Sequence, residues 1–198
     1  MVAPSSLLAR RADLSAAKRA LLDKLLANAA APTGPVLIPR RAATAPVPLS
    51  FAQQSLWFFH QLDPQSPLYH LPIALRLSGR LDPVALQHAL DAIVARHEIL
   101  RTRYVSVDEA PHQQIDAPFS VVVRPIDFRP LPPTEHEAAI RVAIDEDCRR
   151  PFNLARDPLL RGLLPQTAAT EHTLVLTTHH IAADGWSWEI FFRELVAG

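Results

Sequence analysis

The stretch that decides the reading is Leu174-Val175-Leu176-Thr177-Thr178-His179-His180-Ile181-Ala182-Ala183-Asp184-Gly185-Trp186-Ser187. An apolar, β-branched run leads into two histidines, and Asp184 stands four residues after the second of them. Such a run is a strand, and Asp184 is placed to cap a helix over 186–196. The segment therefore delivers imidazoles to a strand-to-helix loop. Imidazole is the side chain best suited to moving protons near neutral pH. Gly185 allows backbone geometry that a Cβ would forbid. Three plainer readings stand beside catalysis. The histidine pair is chance in a chain with nine, Asp184 is only a cap, or the pair holds a metal. Neighbouring strand residues point to opposite faces, which suits a single ion poorly.

Working outward, Thr173–Thr178 pairs naturally with Leu159–Leu164 as two strands joined by a polar loop. Ile73, Leu75 and Leu77 alternate with smaller or polar residues, as in a half-buried strand. Further strands are expected at 101–107 and around Val121 and Val123, with a turn over 108–111. Ser50 and Gln53 form a capping box that opens a helix to about Leu62. Asp82 before Pro83 starts a second helix, whose apolar face carries Leu86, Leu90, Ile93, Val94 and His97. Thr134 and Glu137 read as a second capping box for a helix ending near Arg149. Strands and helices alternate without βαβ regularity, so the class is α/β or α+β, a mixed sheet covered by helices. Upstream, Leu14, Leu21, Leu22, Leu25 and Leu26 mark an amphipathic helix within a leader over 1–29. Five prolines then make 30–48 a semi-rigid linker, which puts the main domain at 49–198.

Composition narrows the function. The 198 residues include 20 basic and 20 acidic side chains, so the net charge is zero and gives no reason to expect nucleic acid or an anionic membrane as partner. One cysteine excludes an intramolecular disulfide and fits a reducing, cytoplasmic setting. No apolar run reaches the roughly 20 residues that span a bilayer.

The stretch His179 to Gly185 resembles the His-His-x-x-x-Asp-Gly motif of nonribosomal peptide synthetase condensation domains. Two further segments match that family in the right order. Ser50-Phe51-Ala52-Gln53-Gln54-Ser55-Leu56-Trp57 is similar to its first motif, with Ser55 where the family has Arg. Arg96-His97-Glu98-Ile99-Leu100-Arg101-Thr102-Arg103-Tyr104 is similar to its second, with Tyr104 where the family has Phe, a mild change that keeps the ring. Asn153 stands where the family often has Asp.

The resemblance covers about 45–198 and implies the N-terminal lobe of a two-lobed, chloramphenicol-acetyltransferase-like fold, with the C-terminal lobe supplied elsewhere. The implied reaction is amide-bond formation between a donor acyl thioester and an acceptor amine. Both are tethered to phosphopantetheine on partner carrier proteins, and the domain itself binds no cofactor and no metal. His180 is the implied catalytic residue, with His179, Asp184, Gly185, Arg96 and Arg101 in support. Asp184 is expected to organise the loop through a salt bridge to Arg96 or Arg101. Trp57, Trp186 and Trp188 are expected in the core or a wall. Rival readings are an acyltransferase of the same superfamily acting on a free acceptor, and a non-catalytic half-domain that docks a carrier or partner lobe. Epimerisation stays open; cyclisation is discounted because both histidines are present.

Overall fold

The structure, a computed structural model, describes Arg41, residues 47–108 and residues 110–197. The expected leader helix lies outside them, as does the expected linker apart from Arg41, Val47 and Pro48.

Two sheets carry the described chain. The larger has four strands in the order β2 (His70–Ser78), β7 (Glu171–His179), β6 (Leu160–Ala168) and β5 (Val123–Asp127). β7 runs antiparallel to both neighbours, in register His70 with His179 and Leu163 with Val175, while β5 lies parallel to β6. The β6–β7 hairpin is the expected strand pair, extended at both ends. β7 is thus interior to the sheet and shielded on both edges, so its apolar run can be buried on both faces.

The alternation of β7 sorts its two faces. Leu174 and Leu176 join a core with Leu90, Ile93 and Val94 of α2 (Pro83–Arg96) and Phe191 of α4 (Gly185–Ala197). Val175, one residue on, packs with Leu163 against Ala143 of α3 (His136–Arg149) on the opposite face. Each fully buried leucine contributes about 1.5–3 kcal/mol relative to exposure. The larger sheet is therefore covered on both faces, and β7 ends between the two layers.

Gly162 of β6 lies where β5 and β7 close in. A Cβ there would come within 3.2 Å of Val123 Cγ2 and 3.3 Å of the Val175 carbonyl oxygen. Parallel β5 can approach because that side chain is absent.

The smaller sheet has the order β1 (Val47–Pro48), β4 (Ala110–Ile115), β3 (Thr102–Val107). Val47 and Pro48, the last residues of the expected linker, pair with Gln113 and His112. β4 takes in the last two residues of the expected turn at 108–111, and Asp108, at φ 49°, has the left-handed conformation of a tight turn. Helix α1 (Phe51–Leu62) starts at the expected capping box, both bonds of which form. The second expected capping box does not form. Thr134 lies inside a 3₁₀ turn, Pro133–Glu135, and α3 begins at His136 without a side-chain cap. Inside that turn Thr134 does not have the extended conformation a cap residue needs.

Candidate active site

β7 ends at His179, and the chain turns there at once, with Ala182 N–H donating to the His179 carbonyl at 2.9 Å. The histidines part company at this turn. His179 is 2% exposed and follows the parity of Val175 and Thr177 toward the α3 face. Its ring lies among those of His60, Tyr69, His70 and Phe152, at centroid distances of 5.9–6.3 Å. Its Nδ1 accepts from the Ile181 N–H at 3.1 Å, so the proton of the neutral ring sits on Nε2. Burial, joined by repulsion from His70, His60 and His180, depresses its pKa to about 3. His179 is a neutral support for the turn.

His180 is exposed, and its backbone N–H donates to the Tyr69 carbonyl at 2.8 Å. Its Nδ1 lies 3.0 Å from the Ala183 carbonyl oxygen. A carbonyl can only accept, so Nδ1 carries the proton. The lone pair of neutral His180 is then on Nε2, on the ring's far edge, free to take a proton or hold an amine.

Asp184 is a helix cap. Its Oδ1 accepts from the Ser187 N–H at 2.9 Å and from Ser187 Oγ at 2.7 Å, and Asp184 N–H donates back to Ser187 Oγ at 3.2 Å. This is a capping box with serine at its third helical position. The Ser187 bonds, followed at longer range by the charge of His180, hold the Asp184 carboxyl below its usual pKa.

The expected salt bridge is not formed by either arginine. Arg96 pairs with Glu194 of α4 at 3.2 Å, beside His97 Nε2, which reaches the other Glu194 oxygen at 2.8 Å. Arg101 donates to the Asp116 carbonyl and lies 3.8 Å from Glu98. Arg96, the last residue of α2, and Arg101, the last of the 3₁₀ turn Glu98–Arg101, are thus both engaged away from Asp184.

Gly185 needs correction too. Its φ is not positive, and a Cβ would meet nothing within 4 Å. No forbidden conformation explains this glycine; it leaves open space at the start of α4. Of the tryptophans, Trp57 and Trp188 pack on the core as expected, whereas Trp186 is 76% exposed.

The structure brings the separate sequence segments together through a network the sequence did not reveal. The Tyr104 hydroxyl donates to the Ile181 carbonyl at 3.1 Å and accepts from Gln53 Nε2 at 3.0 Å. Gln53 Oε1 in turn accepts from Ser50 N–H and from Gln113 Nε2. Burial raises the Tyr104 pKa far above its ordinary value, so the hydroxyl keeps its proton. A second buried cluster stands under β7. Asp147 accepts from Thr177 Oγ1 at 2.7 Å and from Arg161 Nε at 3.1 Å, and Arg161 stacks 3.9 Å over the Phe152 ring. Of these partners, Ser50 with Gln53 and Asp184 with Ser187 stand at capping-box spacing readable in the sequence; the long-range ones do not. Among the described residues, no group of three or more His, Cys, Asp or Glu side chains is placed to hold a metal ion. No helix among them is long and apolar enough to cross a membrane.

The condensation-domain family model matches residues 44–198. The chain belongs to the condensation-domain family. It is 44% identical over 161 residues to a component of the linear gramicidin synthase of Brevibacillus parabrevis, covering 81% of this chain and 2% of that protein. It is 41% identical over 189 residues to the phosphinothricin tripeptide synthetase PhsC of Streptomyces viridochromogenes, covering 95% of this chain and 17% of that one. Among solved structures, the first condensation domain of the calcium-dependent antibiotic synthetase, in complex with a substrate analogue, superposes with TM-score 0.70 at 27% identity, over 78% of this chain and 38% of that one. The starter condensation domain of rhizomide synthetase shares the fold at TM-score 0.70 and 24% identity, over 77% and 36%. The resemblance to nonribosomal peptide synthetase condensation domains is borne out, as is the mixed α/β lobe. The chain spans a small fraction of these synthetases and about a third of the solved condensation-domain chains.

Proposed function

We propose that this condensation-domain chain contributes the His180 side of a site for amide-bond formation in nonribosomal peptide synthesis, in a cytoplasmic setting. An upstream carrier protein presents an acyl thioester on its phosphopantetheine arm, and a downstream carrier presents an aminoacyl amine. The amine nitrogen attacks the thioester carbonyl, the C–N bond forms, the C–S bond breaks, and the donor arm leaves as a thiol. The proton lost by nitrogen ends on that sulfur. A thioester is already activated, so holding the two tethered reactants together supplies much of the acceleration.

One observation carries the reading. The bond from His180 Nδ1 to the Ala183 carbonyl leaves Nε2 unprotonated on an exposed ring. That nitrogen accepts the amine proton or orients the amine toward the carbonyl. His179 and the Asp184–Ser187 box hold the two ends of the turn. Gly185 leaves room beside the first turn of α4 for a tethered substrate, and its amide assists the developing oxyanion in this reading. Arg96 and Arg101 act at a distance, by packing the second motif against α4 and the loop at Asp116.

The test uses donor and acceptor carriers loaded with aminoacyl groups, with the dipeptidyl carrier followed by intact mass. Product with the wild-type chain joined to a C-terminal lobe and none with His180→Ala in the same two-lobed domain is the expected result, with both forms melting alike. Equal turnover by the two forms overturns both roles of His180.

A second reading has one observation in its favour. Phe51, Phe58 and Leu62 form an exposed apolar stripe along α1, as a carrier-docking module would. Carrier binding unaffected by His180→Ala, with no product from either form, favours that reading.

A further inference from the structure

The turn that carries His180 is held one peptide group at a time. The His180 N–H donates to the Tyr69 carbonyl at 2.8 Å, and the Ile181 N–H donates to His179 Nδ1 at 3.1 Å. These bonds fix the peptide planes on either side of His180. The Ala182 N–H donates to the His179 carbonyl at 2.9 Å, and the Ile181 carbonyl accepts from the Tyr104 hydroxyl at 3.1 Å. Both of these fall on one plane, the peptide between Ile181 and Ala182. The Ala183 carbonyl then lies 3.0 Å from His180 Nδ1. The Ile181–Ala182 peptide therefore stands between His180 and the carbonyl that orients its ring. Tyr104 is a firm anchor for that peptide. It is 1% exposed, its N–H donates to the Leu154 carbonyl at 2.8 Å, and its hydroxyl oxygen accepts from Gln53 Nε2 at 3.0 Å. Burial keeps the hydroxyl protonated, so it stays a donor. Gln53 Nε2 lies 3.5 Å from the same Ile181 carbonyl, too long for an equal bond.

We infer that Tyr104 is a positioning residue for His180, acting through the Ile181–Ala182 peptide and the Ala183 carbonyl, an inference that rests on the condensation reading. The tautomer of an imidazole is set by the hydrogen bond its other nitrogen makes. With the Ala183 carbonyl in place, the proton stays on Nδ1 and Nε2 keeps its lone pair. Without the hydroxyl, the Ile181–Ala182 peptide keeps its Ala182 N–H bond and the long Gln53 contact, and it is free to tilt. The Ala183 carbonyl tilts with it. The bond to Nδ1 weakens, and part of the population carries its proton on Nε2, where it blocks the nitrogen that meets the amine. Tyr104 is buried and does not reach a docked carrier. The loss therefore falls on kcat and leaves KM for the carriers unchanged.

The experiment compares wild type, Tyr104→Phe and Gly162→Ala at a temperature where all three are folded. Imidazole nitrogen NMR on the chain itself reads the His180 tautomer. Wild type is expected to carry the proton on Nδ1, and Tyr104→Phe to show a mixture. With the chain joined to a C-terminal lobe and supplied with loaded carriers, Tyr104→Phe is expected to lower kcat by about tenfold to a hundredfold at unchanged KM, the scale of a small misplacement of a reacting group. Gly162→Ala, a destabilising change on β6 that does not touch the turn, is expected to alter neither the tautomer nor kcat. If the wild-type domain makes product and Tyr104→Phe keeps either the wild-type tautomer or the wild-type kcat, the positioning role is wrong while the condensation reading stands. If Gly162→Ala lowers kcat as far as Tyr104→Phe does, the hydroxyl only stabilises the fold and the positioning role is wrong. If Tyr104→Phe mixes the tautomers and the wild-type domain gives no His180-dependent product, the positioning of the ring stands and the condensation reading falls.

Discussion

The Tyr104 hydroxyl donates to the carbonyl of Ile181 at 3.1 Å, joining the second motif to the residue after His180. The bond is buried and also receives Gln53, so the first, second and third motifs meet at one oxygen. The phenolic oxygen is thus a structural part of the turn and not a neutral variation on phenylalanine. Removing it leaves the Ile181 carbonyl and the Gln53 amide only their long 3.5 Å contact with each other.

Tyr104→Phe is therefore expected to cost about 1–3 kcal/mol, the usual penalty for orphaning a buried polar group. Urea unfolding measures it directly. Hydrogen exchange should show the loss concentrated in the His179–Ala182 turn. A variant as stable as wild type would mean that the turn is held by packing alone.

Asp184 and Arg96 separate two accounts of the same loop. If Asp184 acts as the cap of α4, Asp184→Ala lowers the melting temperature by several degrees, Asp184→Asn restores most of it, and Arg96→Ala leaves the loop unaffected. If an ion pair with Arg96 held the loop, Asp184→Asn and Arg96→Ala would both fail as Asp184→Ala does. The Ser187 bonds predict the first pattern. Ser187→Ala should reproduce part of the Asp184→Ala loss, because it removes the returning half of the box.

Local signals in this chain were legible wherever a single segment decides the outcome. Ser50 with Gln53, Asp82 with Pro83, and the apolar runs of β6 and β7 each specify an element by themselves. β4 was not legible, because Ala-Pro-His-Gln-Gln-Ile has neither a buried face nor an apolar alternation. It is a strand because β1 and β3 flank it, which is long-range information. The same holds for the site. The histidine pair and Asp184 are readable as a motif, and strand parity sets the direction of the His179 ring, while His180 follows the turn after β7. That Arg96 turns to Glu194, that Tyr104 reaches Ile181, and that Arg161 lies under Phe152 depend on how distant segments pack. One sequence carries no signal for them.

Gly162 tests how tightly β5 is held. A methyl group there contacts Val123 Cγ2 at 3.2 Å and Leu176 Cδ2 at 3.3 Å, both of which can rotate away. The third contact, the Val175 carbonyl at 3.3 Å, is locked in the ladder of an interior strand. Gly162→Ala is expected to cost about 1–3 kcal/mol as an overpacking substitution. A urea midpoint shift at constant slope is the measurement. An unchanged midpoint would show that β5 moves outward without loss.

Acid titration follows from the buried imidazoles. In the folded chain the His179 pKa is depressed to about 3, against an ordinary 6.5, by burial first and then by His70, His60 and His180. His60 and His70 are shifted down as well, burial again being the largest cause. Between pH 6.5 and 3 the unfolded chain holds protons that folded His179 refuses, so the stabilisation is present in full above pH 6.5 and is lost as the pH falls. His179 alone contributes a slope of up to about 1.4 kcal/mol per pH unit in that window. Lowering the pH from 6.5 to 4.5 should then remove about 2–3 kcal/mol, measured by urea unfolding at each pH. Asp91 and Asp116, whose pKa values are also depressed, add their losses lower in the range. The control is His179→Gln. It lowers stability at every pH through lost packing, but the slope above pH 4.5 should flatten. An unchanged slope in that variant would assign the acid sensitivity to groups other than His179.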